Sequence, residues 1–438
     1  MGHIEKFQEA LKIKTFLHSE DKTTENTLLG FQEFLFNNFP FFHKTAERRV
    51  LSPYSVVYRL PGAASGAALF LAHYDVVPAE SGKWSVDPFG AQIKDGFIYG
   101  RGSLDMKNTL INIMEAAENL CAQSWKPKKD LWFVFGGDEE RSGILGAMKT
   151  AQWFREKGQF FDWILDEGTP VSENQIKGIN TPLALVSIEE KGYLSLNLTV
   201  KQEPGHASRP PKIQAAAVLG RALCRIAKKP FPFKLCATVE EFFKQVSVFM
   251  PGIQGIAMRY ARALGPLFFK LAAKNPTLES MMRTTVAMTQ LEGSAADNVM
   301  PSEVRAVINL RLLKPWTTQT ATAYIKKAIN DERVQISEYG LGTDPVSVGE
   351  KSDYRNNGWN GIENAMKEAW PSVPLLPFLM VATTDSRHFK DISNNIFRFN
   401  PYKLDPDELN TIHGHDERIS IENLNRGLKF YTALMRLL

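Results

Sequence analysis

The chain has 438 residues, of which 44% are hydrophobic and 23% are charged. This ordinary globular composition excludes disordered, collagen-like and fibrous proteins, and the length favours two domains. Lys and Arg outnumber Asp and Glu by only 52 to 48, and no long basic block occurs. We therefore predict no nucleic-acid partner, because the positive charge is too small and too dispersed.

The N-terminal twenty residues carry charged side chains among the apolar ones, so they predict an amphipathic helix rather than a signal peptide. No apolar run approaches the ~20 residues of a membrane helix, which makes a membrane partner improbable and a cytoplasmic, soluble protein the expectation. Cys121, Cys224 and Cys236 lack metal-binding spacing, and we expect packed thiols rather than disulfides or zinc ligands.

Short apolar runs alternate with helical patterns between residues 67 and 191. AALFLA (67–72), DLWFVFGG (130–137) and FDWILDEG (161–168) are typical of buried strands. NTLINIMEAAENL (108–120) and ILGAMKTAQWFREKG (144–158) have helical spacing. The fold class is therefore predicted as α/β, with a mostly parallel sheet covered by helices.

After residue 190 the pattern changes to strands with one polar face, such as GYLSLNLTVKQ (192–202) and EVRAVINLRLL (303–313). Two helices and four strands predict a small α+β domain at 191–344, inserted into a larger domain formed by 1–190 and 345–438. An extra apolar segment at about 229–278 predicts a helical elaboration that packs on the small domain or on a partner subunit. A membrane-surface helix is the alternative for this segment.

Acidic and imidazole groups follow the three predicted buried strands. His73 and Asp75 end the first strand, Glu139 and Glu140 follow the second, and LDEG (165–168) ends the third. Asp105 lies in the turn before the first helix. Ligands in open α/β sheets bind outside the carboxyl ends of the strands, so these groups are expected in one crevice.

So many carboxylates in one crevice would repel each other unless cations neutralise them. Two neutral histidines and three carboxylates around two Zn²⁺ ions leave a small positive charge, which makes a bound water more acidic. Each residue alone has an ordinary explanation, for example Asp105 as a helix N-cap. Their joint occurrence at successive strand ends indicates a two-metal hydrolase.

The motifs resemble those of the two-zinc metallopeptidases that include aminoacylase, glutamate carboxypeptidase and succinyl-diaminopimelate desuccinylase. The resemblance rests on LAHYDVVP (71–78), GRGSLDMK (100–107), FGGDEERSG (135–143), LDEG, PGHASRPP (204–211), DNVMP (297–301) and IHGHDER (412–418). It covers nearly the whole chain. The carboxypeptidase S and N-acyl-amino-acid hydrolase branch is most similar, because it shares the insertion at 229–278 and TTDSRHF (383–389).

The resemblance implies five metal ligands and a general base. His73 and Asp166 would bind one zinc, Glu140 and His413 the other, and Asp105 both. Glu139 would take a proton from the metal-activated bridging water, and Asp75 would orient His73. Co²⁺ or Mn²⁺ could replace zinc. Two choices stay open, since Glu167 could replace Asp166 and His415 could replace His413.

The resemblance also implies that the small domain is a lid, which in several relatives forms a homodimer contact. His206 would stabilise the oxyanion, sometimes from a partner subunit. Asn298, Arg311 and Arg387 would hold the carboxylate side of the substrate, since an Arg fork binds both carboxylate oxygens. His3, His18, His43 and His388 have no assigned role and are expected to be surface or satisfied polar groups.

The implied activity is hydrolysis of a peptide or amide bond next to a free carboxylate, in a small peptide or an N-acyl amino acid. The apolar insertion favours hydrophobic side chains or acyl groups. The competing interpretation is a non-catalytic, metal-binding relative that acts as a ligand-binding or membrane-surface module. Because Glu139 and His206 are both retained, the hydrolase is the stronger hypothesis.

Overall fold

A computed structural model describes residues 1–17, 22–347 and 354–438. The α-helices are α1 (His3–Lys12), α2 (Lys22–Asn38), α3 (Pro40–Thr45), α4 (Lys107–Ala122), α5 (Ala147–Glu156), α6 (Ala215–Lys228), α7 (Ala237–Val246), α8 (Gly252–Arg259), α9 (Ala261–Ala272), α10 (Pro276–Met282), α11 (Thr318–Ile329), α12 (Asn357–Ala369), α13 (Pro406–Leu409) and α14 (Ile421–Arg436). Short 3₁₀ turns lie at Ser81–Lys83, Glu139–Arg141, Ser247–Phe249 and Asp385–Phe389.

The strands belong to one large sheet and three smaller ones. They are β1 (Glu47–Ser52), β2 (Ser55–Leu60), β3 (Ala64–His73), β4 (Ile93–Lys94), β5 (Phe97–Tyr99), β6 (Lys129–Gly136), β7 (Trp163–Ser172), β8 (Leu183–Glu190), β9 (Gly192–Lys201), β10 (Gly205–His206), β11 (Thr285–Glu292), β12 (Val299–Met300), β13 (Glu303–Leu312), β14 (Gln335–Glu338), β15 (Val346–Ser347), β16 (Leu375–Met380), β17 (Ile396–Leu404) and β18 (Arg418–Ser420).

The large sheet has the order β1-β2-β6-β3-β7-β17-β8-β15, and β16 also pairs with β8. Its centre is parallel, because β3 pairs in parallel with both β6 and β7, and β7 with β17. Continuous apolar runs suit strands that are covered on both faces, and α4, α12 and α14 pack together in the same core. The predicted α/β fold with a mostly parallel sheet is confirmed.

The small domain contains an antiparallel sheet with the order β11-β13-β9-β14. Apolar residues that alternate along β9 and β13 are buried against α6 and α11. This matches the predicted set of two helices and four strands. The exact domain boundaries, 1–190 with 345–438 and 191–344, stay predictions.

The insertion at 229–278 differs from the expectation in where it packs. Its helix α7 contacts β16 of the large sheet, and Phe242 and Phe243 share a core with Leu183 and Leu376 of β8 and β16. The apolar outer strands of the large sheet need a cover, and the insertion provides it. The elaboration therefore packs mainly on the larger domain rather than on the small one.

The three cysteines are free, but they are not all packed. Cys121 and Cys236 are half-buried, whereas Cys224 is exposed. Helix α6 turns its apolar stripe, including Val218 and Ala222, toward the small sheet, and this leaves Cys224 outside. The prediction of a packed thiol was wrong for Cys224.

Throughout the described ranges, each helix is too short or too polar to pass through a bilayer. The cytoplasmic location stays a prediction.

Candidate active site and metal centre

The parallel strands bring the predicted groups to one edge of the large sheet. His73, the last residue of β3, pairs with Gly136 at the end of β6. Glu139 and Glu140 lie in the 3₁₀ turn just beyond, and Asp166 and Glu167 lie in β7 on the other side of β3. The carboxyl ends of neighbouring parallel strands thus gather the charged side chains, as expected for an open α/β sheet.

Asp105 lies between two histidines that come from distant parts of the chain. Its Oδ1 lies 3.0 Å from His73 Nε2, and its Oδ2 lies 2.9 Å from His413 Nε2. His413 Nε2 also lies 3.0 Å from Glu140 Oε1, and His73 Nε2 lies 3.6 Å from Glu167 Oε1. One carboxylate is therefore shared by two sets of three ligand groups, each set lying within 4.8 Å.

Asp75 holds both His73 and the turn with the two glutamates in place. Its Oδ1 lies 3.3 Å from His73 Nδ1, and its two carboxylate oxygens accept the backbone N–H groups of Glu139 and Glu140, each at 3.1 Å. Asp75 thus fixes the imidazole and the turn that carries both glutamates. A carboxylate behind a histidine is the usual way to orient a metal ligand.

The side chains around Asp105 shift the pKa values of one another. Burial lowers the pKa of His73, but Glu167 and Asp105 outweigh it and raise this pKa well above its usual value. Hydrogen bonds to Asp105 and Glu140 raise the pKa of His413 to about 10. Burial and the charge of Asp105 raise the pKa of Glu167 to about 8. The two imidazoles and Glu167 thus hold a positive charge or a proton more tightly than free side chains do.

The donor set fits divalent metal ions. Imidazole nitrogens and carboxylate oxygens are typical ligands of Zn²⁺, and also suit Co²⁺ or Mn²⁺. The shared Asp105, with one oxygen toward each histidine, has the form of a carboxylate between two ions. The ligands must lose their protons to bind a metal, so metal affinity rises with pH.

Glu139 is the carboxylate assigned as general base. Burial, followed by the negative charge of Glu167, raises its pKa well above the usual value. Its main chain is held by Asp75, so the side chain extends from a fixed position at the edge of the site. A carboxyl group with a raised pKa is well suited to accept and return a proton.

The structure places Asp166 and Glu167 differently from the preferred assignment. Both oxygens of Asp166 accept backbone N–H groups, from Glu167 at 2.9 Å and from Ser386 at 2.8 Å. Glu167, which was the alternative, lies beside His73 and Asp105. The register between β7 and β17 shifts after Asp166, so the strict alternation of side chains is lost. Glu167 is therefore the acidic residue of β7 that approaches His73, while the choice of ligand between the two stays a prediction.

Of the two candidate histidines, His413 and His415, the structure brings His413 next to Asp105. His413 has a left-handed backbone, with φ 59°, which turns its ring toward Asp105. His415 is exposed and belongs to neither ligand group. The assignment of His413 is thereby supported by position.

Sequence reasoning missed Glu417, which is buried beneath the site. Its carboxylate forms an ion pair with Arg101. It also accepts the backbone N–H groups of Gly102 at 3.2 Å, Leu104 at 2.8 Å and Asp105 at 3.2 Å. Arg101 in turn donates to the carbonyl of Gly414. Glu417 is part of the IHGHDER motif. Its position four residues after the predicted ligand His413 was the feature of the sequence that could have identified it.

Glu417 thereby connects the loop before α4, which holds Asp105, to the loop that holds His413. Burial raises the pKa of Glu417, and the charge of Arg101 opposes that rise. The residue does not belong to either ligand group. It is a positioning residue for two ligands that lie more than three hundred positions apart in the chain.

The predicted substrate-binding residues are only partly brought to the site. Arg387 is buried, its guanidinium donates to the carbonyl of Ser142, and its Nε has no acceptor among the described residues. Burial, together with the nearby charge of Arg387, lowers the pKa of Arg311. His206 and Asn298 are exposed on the small domain, where Ala207 donates to the carbonyl of Asn298. They do not join the ligand groups.

The histidines without an assigned role have structural contacts. His3 contacts Asn112 and His43 bonds the carbonyl of Phe39, while His388 contacts the carbonyl of Ser142. The expectation of satisfied groups holds only in part, because His3 Nδ1 and His43 Nε2 are buried without a partner among the described residues. His18 lies outside the described residues.

The chain belongs to peptidase family M20/M25/M40, whose sequence profile it matches over residues 69–437. It is 32% identical over 438 residues to the N-fatty-acyl-amino acid synthase/hydrolase PM20D1 of Xenopus tropicalis, covering 99% of this chain and 85% of that protein. It is 33% identical to probable carboxypeptidase S-like 2 of Dictyostelium discoideum, covering 94% and 80%.

Solved structures show the same fold. The M20 family metallo-carboxypeptidase Sso-CP2 of Sulfolobus solfataricus superposes with a TM-score of 0.77 at 17% identity, covering 100% of this chain and 99% of that one. Human carnosine dipeptidase 1 gives a TM-score of 0.69 at 16% identity, covering 99% and 95%. The predicted membership of the metallopeptidase and amidohydrolase family is confirmed, and the protein is an enzyme of that hydrolase class.

A Glu417→Gln variant tests the positioning role. The neutral amide removes the charge opposite Arg101 and one of the two acceptor oxygens. We expect a stability loss of about 3–5 kcal/mol, as for other broken buried pairs, and a roughly 10–100-fold loss of metal affinity. Thermal unfolding and zinc titration measure the two effects, with the exposed Glu422→Gln as control. Unchanged zinc affinity would contradict the role.

The two acidic residues of β7 are separated by Glu167→Gln and Asp166→Asn. We expect Glu167→Gln to lose one of two bound ions per chain, since it removes a charged ligand from His73 and Asp105. Asp166→Asn should keep both ions but unfold more easily, because one oxygen that accepts a backbone N–H is replaced. Elemental analysis counts the ions. The opposite pattern would restore Asp166 as the ligand.

Proposed function

We propose that the protein hydrolyses the amide bond of N-acyl amino acids with hydrophobic acyl groups, next to their free carboxylate. The observation that carries this proposal is the carboxylate of Asp105, which has one oxygen toward each of two histidine-containing ligand groups. Cleavage at the C-terminus of small peptides is the second candidate. It is favoured by the 33% identity to probable carboxypeptidase S-like 2.

We propose two Zn²⁺ ions per chain, held by His73 with Glu167 and by Glu140 with His413, with Asp105 between them. The donor types and the shared Asp105 support this set. When bound, zinc polarises the scissile carbonyl and lowers the pKa of water toward neutrality. The protein side chains transfer the proton and bind the substrate.

Glu139 acts as the proton carrier in this proposal. It accepts a proton from the attacking water and returns it to the nitrogen of the leaving amine. Its raised pKa, caused by burial and Glu167, supports this role. Asp75 keeps the glutamate in place by holding its backbone N–H.

Arg387 and Arg311 bind the free carboxylate of the substrate in this proposal. The buried Nε of Arg387 supports this role, because it lacks an acceptor among the described residues. Arg311 supports it as well, because its guanidinium lies close enough to Arg387 to feel its positive charge. Two like charges held close together are stabilised by an anion between them. Asn298 assists on the same side of the substrate.

His206 stabilises the oxyanion, and we propose that it reaches the site from the partner of a homodimer. Its exposed position supports delivery to another chain. The small sheet offers an interface, because β11 is an outer strand and carries the exposed side chains Met288 and Leu291. An uncovered outer strand readily pairs with a second chain.

The hydrophobic acyl group is proposed from two similarities. The PM20D1 relatives at 30–32% identity carry the name N-fatty-acyl-amino acid synthase/hydrolase. The chain also has the extra segment at 229–278 with its high apolar content. The likeness to carnosine dipeptidase 1, at 16% identity, concerns the fold alone.

Glu139→Gln tests the hydrolase proposal directly. The amide keeps the shape of the side chain but cannot accept the proton, so kcat should fall by roughly 10²–10⁴-fold. Bound zinc should be unchanged. Turnover of N-acyl amino acids and elemental analysis measure both, and Glu156→Gln at the exposed end of α5 is the control. Full activity in Glu139→Gln would exclude the assigned base.

Arg387→Ala tests recognition of the carboxylate. Losing a charged hydrogen bond of about 1.5–3 kcal/mol should reduce kcat/KM for N-acyl amino acids by about 10–150-fold. Substrate analogues with a carboxamide in place of the carboxylate should be poor substrates of both the wild type and the variant. For these analogues the substitution should lower kcat/KM only slightly. Steady-state kinetics on the paired substrates measure this, with Arg221→Ala as control. Equal losses for both substrates would indicate a purely structural role.

A further inference from the structure

The helices α8 and α9 have apolar side chains on two sides. Ala261, Phe268 and Ala272 of α9 are buried in the core that the insertion shares with β8 and β16. A second row, formed by Leu264, Leu267 and Leu271, lies exposed. One apolar row suffices for a helix that packs on a protein surface, so the second row needs another explanation.

The exposed row continues on the neighbouring segment. Seven large apolar side chains between residues 248 and 271 are exposed: Val248, Ile253, Ile256, Tyr260, Leu264, Leu267 and Leu271. We call this set the apolar face. Ile253 is 81% exposed. So many exposed large apolar side chains within one short segment, rather than scattered singly along the chain, are typical of an interaction site.

The segment that carries the apolar face contains basic residues but no acidic ones, and the nearest glutamates, Glu240 and Glu241, line the adjoining cavity. Between Glu241 and Glu279 the sequence has no acidic residue. The basic residues in this interval are Lys244, Arg259, Arg262, Lys270 and Lys274. Arg262 is paired with Glu240 of α7, whereas Arg259, Lys270 and Lys274 are exposed along the helices.

We propose that the apolar face docks on an anionic phospholipid bilayer. Apolar side chains would enter the boundary between headgroups and acyl chains, while the basic side chains contact lipid phosphates. Tyr260 fits this boundary, because its ring is apolar and its hydroxyl is polar. The proposal replaces the expectation that a membrane partner is improbable, and it does not depend on the proposed substrate.

A second copy of this chain is a less suitable occupant of the apolar face. In a two-fold symmetric dimer the same surface meets itself, so Lys270 and Lys274 would approach basic residues of the other chain. The interval has no acidic residue to compensate, and Glu240 at the adjoining cavity is already paired with Arg262. An anionic lipid surface instead supplies the opposite charge over the whole face.

A cavity beside the apolar face gives the lipid surface additional room. It has a volume of about 990 Å³ and is lined in part by Val248, Arg259, Tyr260 and Leu375. Val248 and Tyr260 belong to the apolar face, so the cavity borders it. A lipid that leaves the bilayer plane would meet apolar side chains there, together with the basic residues Lys244, Arg259 and Arg262 and the acidic residues Glu240 and Glu241.

Vesicle sedimentation tests the proposal on the full-length, metal-loaded protein. Wild-type protein should pellet with vesicles of equal parts phosphatidylcholine and phosphatidylglycerol, and far less with pure phosphatidylcholine. Leu267→Glu/Leu271→Glu should weaken binding roughly tenfold or more, because two exposed apolar groups that would enter the bilayer become charged. The matched control is Ile213→Glu/Phe160→Glu, whose native side chains are similarly exposed, at 59% and 51% against 59% and 55%.

A second pair of variants isolates the charge. Lys270→Ala/Lys274→Ala should weaken binding to the anionic vesicles by roughly fivefold per lysine. Lys326→Ala/Lys327→Ala, on the exposed side of α11, makes the same change in net charge and should bind like wild type. Equal melting temperatures for variants and controls show that folding is retained.

Three results would overturn the proposal. Wild-type protein could fail to pellet with anionic vesicles, or the apolar variant could pellet as well as its control. Sedimentation velocity could instead show a wild-type dimer that Leu267→Glu/Leu271→Glu converts to a monomer without any vesicle binding. That result would identify the apolar face as a contact between copies of this chain.

Discussion

The site depends on holding one carboxylate, Asp105, between two histidines from opposite ends of the chain. A partly buried aspartate would relax toward water or toward one partner unless its main chain were fixed. The buried carboxylate of Glu417 provides this by binding the backbone N–H of Asp105 and the guanidinium of Arg101. The loop that carries His413 ends at Glu417, so a single buried ion pair sets the distance between both ligand groups.

Much of the fold could be predicted, because its central strands are uniform. β3 and β6 are apolar throughout the parts that are covered on both faces. The length and the unbroken apolar character of these runs were therefore sufficient to predict buried strands. β17 was not recognised, although it lies in the middle of the sheet. It contains Arg398 and Pro401, and Arg398 is tolerated inside only because Glu190, from β8, pairs with it at 2.6 Å. This ion pair joins residues that are distant in the sequence, so no local sequence pattern reveals it.

The site residues could be predicted as a group, because parallel strands end at one edge, but individual choices depended on backbone detail. Alternation along β7 favours Asp166, yet the pairing with β17 skips from Asp166 to Thr169. A Cβ at Gly168 would lie 2.3 Å from the backbone of Arg398, so only glycine permits this close approach. The bulge presents Glu167 to His73. Gly168 was part of the recognised motif, but its effect on the neighbouring side chain required the partner strand.

β16 leads from the cavity beside the apolar face toward the segment that carries Arg387. β16 begins at Leu375, beside the cavity under the insertion, and its end leads to Thr384, whose N–H binds Glu190 near Arg387. Six extended residues span about 20 Å, and pairing with β8 fixes that length. Docking through α8 and α9 would therefore attach to a lipid surface the part of the chain that packs on the same sheet as the site. An N-acyl amino acid has its polar end at that surface, so docking would favour substrates with long chains over soluble peptides.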